Sequence, residues 1–457
     1  MPSNALPQKK ENTKPRTRMD WTDLLCSQGI DDRNPSSDKY RTEFDKDYDK
    51  LVFSRAFRRL GRKTQVHPLA TNDHVHNRLS HSIEVAAVGR SLGRAIGEYV
   101  REKEEEGFRT QFSAQDFGAI VQAACLAHDI GNPPFGHAGE KAIRQWMQEH
   151  EPMLTGLSVD VCTDLMLFEG NAQGFRIAVK TKESGSREGL GLTAATLGAM
   201  TKYPWYSNHF KAERKEKFSV FRSESEQFEK LVKLLGLLPK IEKDDRDDDQ
   251  PEYTRYCRHP LVFLVEAADD ICNTIIDIED AVELEILRHG DVKKDLMKLR
   301  GKKEIDGLII AEHRAEAISY LIKQCCTVFE NKYDDIMNGE DVKPLIKLIP
   351  AAERRAYKAL NDLAADKVYP FRRNTELELG CYSSLSTLLD NGMTAALNIN
   401  SGKKTYKQDN LLKLIGDEIT DDNLELYEKY MLVTDFISGM TDNYATYIAA
   451  QLSGHAR

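Results

Sequence analysis

"AHDIGNPPFGHAGE", residues 127–140, packs two histidines, an aspartate, a glutamate, three glycines and two adjacent prolines into fourteen positions. The stretch leading into it, "QDFGAIVQAACLAHDIG" (115–131), places Phe117, Ile120, Ala124 and Ala127 at helical spacing. That helix is expected to stop at Gly131, because glycine suits the position after a helix end and Pro133-Pro134 cannot continue the hydrogen-bond ladder. A second helix is expected to begin near His137, with Glu140 in its first turn, where a negative charge complements the helix dipole. On this stretch alone two accounts stand level. It is a well-capped turn between helices, or it is part of an active site.

Working outward, "HNRLSHSIEVAAVGRSLGRAIGEYVREKEE" (76–105) repeats the helical spacing through Ile83, Ala86, Ala87, Leu92, Ile96 and Val100, with a helix beginning near Arg78. A third helix is expected over 260–287, "PLVFLVEAADDICNTIIDIEDAVELEIL", with Pro260 in the first turn. The chain therefore reads as all-α, with room for one short β-hairpin. Residues 1–18 are polar, basic and proline-rich and are expected to be disordered. Residues 19–304 are expected to form the core and 305–457 a helical region packed on it. "KESGSREGLGLT" (182–193) reads as a loop or short hairpin, and "KIEKDDRDDDQPEY" (240–253) as a charged surface connection. "KVYPFRRNTELELG" (367–380) and "NINSGKKTYKQDN" (398–410) interrupt the later helices.

Composition sets limits. The 457 residues carry a formal net charge of -9, which argues against a surface coated for phosphate binding but allows a local basic groove. "SRAFRRLGRKTQ" (54–65), with Arg55, Arg58, Arg59, Arg62 and Lys63, is the candidate, although a solvated helix face explains it as well. No apolar run has the length of a membrane span, so the cytoplasm is the default location and no membrane partner is expected. The eight cysteines are not closely spaced and read as reduced, mostly buried thiols.

Two imidazoles and two carboxylates, His81, His128, Asp129 and Asp269, form a mixed nitrogen and oxygen set suited to a divalent ion of the Mn, Mg, Fe, Co or Zn kind. Any one of them alone is more often a satisfied core residue. Asp269, Asn273 and Asp277 recur every four residues and so share one helix face.

The order His81, His128-Asp129, Asp269 resembles the H…HD…D pattern of the HD-domain metal-dependent phosphohydrolases. More specifically, "FSRAFRRLGRKTQV", "NRLSHSIEVAAVGR", "AHDIGNPPFGHAGE", "FEGNAQGFRI", "TKYPW", "EAADDI" and "DFISGMTDNYA" together resemble the bacterial deoxyguanosinetriphosphate triphosphohydrolase (dGTPase) family, over residues 21–449. The resemblance implies an HD-type helical core and cleavage of dGTP, or of other dNTPs, at the α-phosphorus to a deoxynucleoside and inorganic tripolyphosphate. It implies a divalent cofactor, Mg²⁺ or Mn²⁺ foremost, held by His81, His128, Asp129 and Asp269, which polarises the phosphate and lowers the pKa of water. His137 then transfers the proton, with Glu140 orienting it.

By the same resemblance Arg78, Lys202 and Tyr203 contact the triphosphate, and Gln65 and Asp277 the 3′-hydroxyl. Relatives commonly carry tyrosine, packed on the sugar, where this chain has Asn273, which puts strict selection against ribonucleotides in question unless a neighbouring aromatic fills the space. Asn171, Gln173 and Arg176 are contacts to base or phosphate, or else satisfy buried backbone; Asp435 and Asp442 are candidates for supporting the site from outside. A homo-oligomer, commonly a hexamer, and activation by single-stranded DNA or a second nucleotide are also implied. Two other functions compete: an HD-type nucleotide phosphatase or phosphodiesterase, and a nucleotide- or DNA-responsive binding protein in which catalysis is secondary.

Overall fold

In the computed structural model the described residues are 16–31, 38–66, 75–181, 188–245, 252–299, 310–370, 372–399 and 403–455. Residues 1–15 of the expected N-terminal disorder, 246–251 of the 240–253 connection and 182–187 of the 182–193 stretch fall outside them. Helices dominate, and the one sheet among the described residues is a two-stranded antiparallel ribbon. The all-α expectation holds.

The Arg78–Lys103 helix starts where Asn77 accepts hydrogen bonds from the backbone of Leu79 and Ser80 while Ser80 answers the Asn77 N–H. Such reciprocal caps satisfy the donors a helix start leaves open. The Ala114–Ala127 helix is capped the same way by Ser113 and Asp116. These two helices, Val262–Glu283 and Ile310–Asn331 contribute to a first apolar core that includes Leu92, Phe117, Ile271 and Phe329. A second core gathers Ile143, Trp146 and Phe168 with Leu385, Met393, Tyr430 and Ile448 from helices Arg372–Leu397, Leu426–Ser438 and Asp442–Leu452. The cores do not divide at 304/305: Leu321, Leu360 and Val368 belong to the first, whereas Ile143 and Trp146 belong to the second. Residues 128–135 are the turn that passes from one core to the other.

Two expectations need correction. The helix carrying the HD pair ends at Ala127, four residues before Gly131, and residues 128–131 form turns closed by Ile130 N–H to Ala127 O and Asn132 N–H to Asp129 O. Gly131 is not in the left-handed region; Phe135 (φ 64°) and Gly136 (φ 57°) are, so the reversal that prolines demand is made after them. The hairpin lies at Pro239–Glu242 and Tyr253–Tyr256, flanking the charged connection, with Pro239 opposite Tyr256. The described part of 182–193 holds only an isolated bridge, Gly29 to Thr193. The 367–380 interruption is confined to the few residues after Lys367, since Arg372–Leu397 is one helix.

None of the eight cysteines forms a disulfide; six are buried and Cys26 and Cys162 are half-buried. Among the described residues no helix is long and apolar enough to cross a membrane.

Candidate active site

A cavity of 710 Å³ opens where the two cores meet, and it is lined by the twelve residues that the sequence assigned to metal, proton transfer or substrate: Gln65, Arg78, His81, His128, Asp129, His137, Glu140, Lys202, Tyr203, Asp269, Asn273 and Asp277. They come from five separate parts of the chain. An antiparallel bridge between Thr64 and Asn77 sets Gln65 beside the start of the Arg78–Lys103 helix. Periodicity along Val262–Glu283 supplies Asp269, Asn273 and Asp277 from one face.

At the cavity floor the ligand atoms of His81, His128 and Asp269 lie within 4.8 Å of one another. His81 Nε2 is 3.2 Å and His128 Nε2 3.5 Å from Asp269 Oδ1. His128 Nδ1–H donates to the Cys125 carbonyl (2.6 Å), which leaves the Nε2 lone pair facing the carboxylates. Asp129 Oδ1 stands 3.5 Å from His128 Nε2 and accepts from Asn132 Nδ2, while Oδ2 takes the Arg78 guanidinium at 2.5 Å. Burial pushes both aspartates up, but their neighbours outweigh it: Arg78, with the His128 and His81 rings, holds Asp129 well below the carboxylate range, and the His128 and His81 rings with Lys202 hold Asp269 at about 2. One buried and one half-buried imidazole, converging on ionised carboxylates, fit a divalent cation.

Arg78 lies over Gly136, where any Cβ would strike its guanidinium, and Gly136 also needs its positive φ. No other residue fits both demands. The Nε of Arg78 and the Oε1 of Gln65 are buried without a protein partner at this cavity. Across from them, Lys202 lies 3.5 Å from Glu266 and 5.8 Å from the Tyr203 ring; burial opposes its charge, and Tyr203, Glu266 and Asp269 together keep it protonated.

His137 and Glu140 divide between solvent and interior. The His137 side chain is 76% exposed and that of Glu140 4%, and His137 Nδ1 is 3.1 Å from Glu140 Oε2. Burial would raise Glu140, but the His137 bond and the charges of Lys217, His137 and Arg144 bring it to about 2. An ionised Glu140 makes Nδ1 the donor and leaves Nε2 for a ligand.

The structure adds residues that sequence reasoning passed over. Tyr369, from the stretch read only as an interruption, lines the cavity and donates its hydroxyl to Asp277 Oδ2 at 2.8 Å. Burial raises Asp277 to about 7, with the Asp280 and Asp269 charges adding and the Tyr369 bond opposing. Asn273 is held between Gln65 Nε2 (3.3 Å) and Asp269 (2.8 Å). Lys217 also lines the cavity, and no motif marked it.

Other candidates sort differently. Arg176 is buried against Asp435 and Glu224, and Gln173 donates to Asp435 while its Oε1 is left without a partner; neither residue lines the cavity. Asn171 lines the cavity with its amide held by Glu169. Of the Arg55–Lys63 run, the arginines are exposed, but Lys63 turns inward to the carbonyls of Asn132 (2.5 Å) and Ser438 (2.7 Å), and burial lowers it to about 7.

The HD domain family model matches residues 78–169, the segment that holds His81, the HD pair and the His137–Glu140 pair. An all-helical chain with this set is an HD-domain phosphohydrolase. Along nearly its whole length the chain is similar to curated proteins: 39% identical over 96% of this chain and 99% of the deoxyguanosinetriphosphate triphosphohydrolase-like protein of Pseudomonas aeruginosa. It is 35% identical to the like-named protein of Synechocystis, over 95% of this chain and 99% of that one. With the deoxyguanosinetriphosphate triphosphohydrolase of Yersinia enterocolitica it shares 28% identity over 88% and 92% of the two chains. The chain belongs to the deoxyguanosinetriphosphate triphosphohydrolase-like family.

Proposed function

We propose that this enzyme is a metal-dependent dNTP triphosphohydrolase, with dGTP the favoured substrate, releasing a deoxynucleoside and inorganic tripolyphosphate. The observation that carries the reading is one cavity in which a cation-binding cluster, a proton-transfer pair, triphosphate-sized positive charge and sugar-sized polar contacts share a wall. His81, His128 and Asp269 would hold the ion, with Asp129 beside them, and Mg²⁺ or Mn²⁺ are the first choices among ions such a set accepts. The ion, when bound, supplies Lewis-acid polarisation of the phosphate and stabilises developing charge.

The remaining steps fall to the chain's own groups. Arg78, Lys202 and Tyr203 bind and orient the triphosphate. Water adds to the α-phosphorus as the bond to the 5′-oxygen breaks, and His137 Nε2 gives that oxygen its proton. Glu140 holds Nδ1 and stabilises the imidazolium. Gln65 Oε1, which lacks a partner, and Asp277 take the 3′-hydroxyl. Asn273 leaves space on the sugar side that Tyr369 shares.

Phosphorus NMR of the products formed from dGTP and Mn²⁺ tests this. Tripolyphosphate as first product is expected; pyrophosphate, or stepwise orthophosphate, would overturn the reading. The same preparation, run with the other dNTPs and with or without single-stranded DNA or a second nucleotide, tests base preference and activation. Light scattering tests the proposed homo-oligomer of hexameric size, and fractionation the cytoplasmic location.

A further inference from the structure

The motif "FEGN", Phe168 to Asn171, has no place in the chemistry above, yet it abuts the proton-transfer pair on two sides. Gly170 N–H donates to Glu140 Oε1 at 2.8 Å. A Cβ on Gly170 would lie 2.6 Å from that same oxygen and 2.6 Å from Asn132 Oδ1, so only glycine lets Glu140 seat there. Glu169 is fully buried, and burial and the Glu140 charge raise its pKa; opposing them, it accepts from Asn171 N–H (2.6 Å), Asn171 Nδ2 (2.8 Å) and Lys217 Nζ (2.6 Å), donors of the kind an ionised carboxylate takes. Lys217 Nζ is also 3.8 Å from Glu140 Oε2. One ammonium is thus shared by two buried carboxylates, and one of these is the partner of His137.

We propose that Glu169 is a positioning residue for proton transfer: it holds Lys217 partly away from Glu140, so that Glu140 keeps enough uncompensated charge to stabilise protonated His137. The inference rests on the reading of His137 and Glu140 as the proton-transfer pair. Lys217, facing the cavity, is also free to answer an anionic substrate, and any movement toward it strengthens the hold of Glu140 on the imidazolium. The other charged groups around Glu140 are Arg144 on its own helix, which is occupied by Glu216 and the Phe168 carbonyl, and Tyr203 next to Lys217, whose proton burial retains.

The sign of the effect separates this from a merely structural role. Glu169→Gln keeps the shape and the Asn171 contact but removes an anion and frees Lys217 for Glu140, and both changes favour neutral His137. Lys217→Met removes the cation and favours protonated His137. The readout is the rate of diethyl pyrocarbonate modification of His137 against pH, followed on its peptide by mass spectrometry in the full-length protein without substrate; only neutral imidazole reacts, and the ring is exposed. The His137 midpoint is expected to move down in Glu169→Gln and up in Lys217→Met, each by on the order of half a pH unit, with Glu169→Asp near wild type. Shifts in the same direction, or none, overturn the proposal. If Glu169→Gln does not fold, Lys217→Met decides alone, and an unchanged or lowered midpoint overturns it. Because no turnover is measured, this result stands apart from the product assay: either can fail without the other.

Discussion

Asp442 is the residue whose loss is expected to join stability and catalysis most clearly. It is 3% exposed, at the start of the last helix, and its Oδ2 accepts from the backbone N–H (2.9 Å) and hydroxyl (2.5 Å) of Thr64 while Oδ1 accepts from Phe135 N–H (2.9 Å). Phe135 is held in the left-handed region at φ 64°, a conformation that costs a non-glycine residue about 1–3 kcal/mol and persists only where neighbours enforce it. Asp442→Ala leaves three partly buried donors without their acceptor. At about 1–3 kcal/mol for each fully buried orphan, discounted because Thr64 and Phe135 retain some solvent, the loss is about 2–4 kcal/mol. The strained turn then relaxes two residues before His137, and a displacement of about 1 Å at a proton-transfer group lowers turnover up to about 100-fold. Urea denaturation gives the stability change, and dGTP turnover with Mn²⁺ gives kcat. Manganese affinity should be retained, since His81, His128 and Asp269 are not bonded to Asp442. Stability within about 0.5 kcal/mol of wild type together with unchanged kcat would refute the reasoning.

Further expectations follow from the same geometry. His76 sits 2.7 Å from Asp280 and 3.2 Å from Glu84, and although burial opposes it, those carboxylates raise it to about 10. Its folded value lies above the unfolded one, so its stabilisation is complete below about pH 6.5 and is lost as pH rises through about 10; denaturation curves should show that loss in wild type and a smaller one in His76→Asn. Arg176→Met strands the buried carboxylates of Asp435 and Glu224 and should cost about 3–5 kcal/mol by urea denaturation, with KM unchanged because Arg176 does not reach the cavity. With Asn273 small, Tyr369 is the aromatic left on the sugar side; wild type should prefer dGTP to GTP by about tenfold or more in kcat/KM, and Tyr369→Ala should narrow that ratio, whereas an unchanged ratio would remove Tyr369 from sugar selection.

Much of the site was legible because its residues sit on local patterns that report their own geometry. Four-residue spacing put Asp269, Asn273 and Asp277 on one face, and the helical spacing of Ile83, Ala86, Leu92 and Ile96 marked the helix that carries Arg78 and His81. Boundaries were less legible. Gly131 resembled a helix stop, but the chain turns at His128 because the last carbonyls are satisfied by 128–132 turns and the His128 ring itself. The hairpin was misplaced because its strands, "PKIE" and "YTRY", are short and flank a charged run that dominates the local composition. Lys217 and Tyr369 carried no signal, since nothing within a few residues of each requires it to be what it is, and Glu169, although it caps the Gly170–Val179 helix, showed nothing of its contact with Lys217.

By itself the sequence determined that the chain would be helical, that a proline-stiffened bend would separate His128-Asp129 from His137-Glu140, and that Asp269 would share a face with Asp277. These are consequences of periodicity and backbone sterics, which act over a few residues. Only the tertiary structure decided that the bend joins two apolar cores, that Asp442 from the far end of the chain secures it, that Lys63 leaves the basic run for the interior, and that Lys217 stands between Glu140 and Glu169. Those facts depend on burial and on charges brought together across hundreds of residues, where desolvation makes each unpaired group costly enough to select its partner.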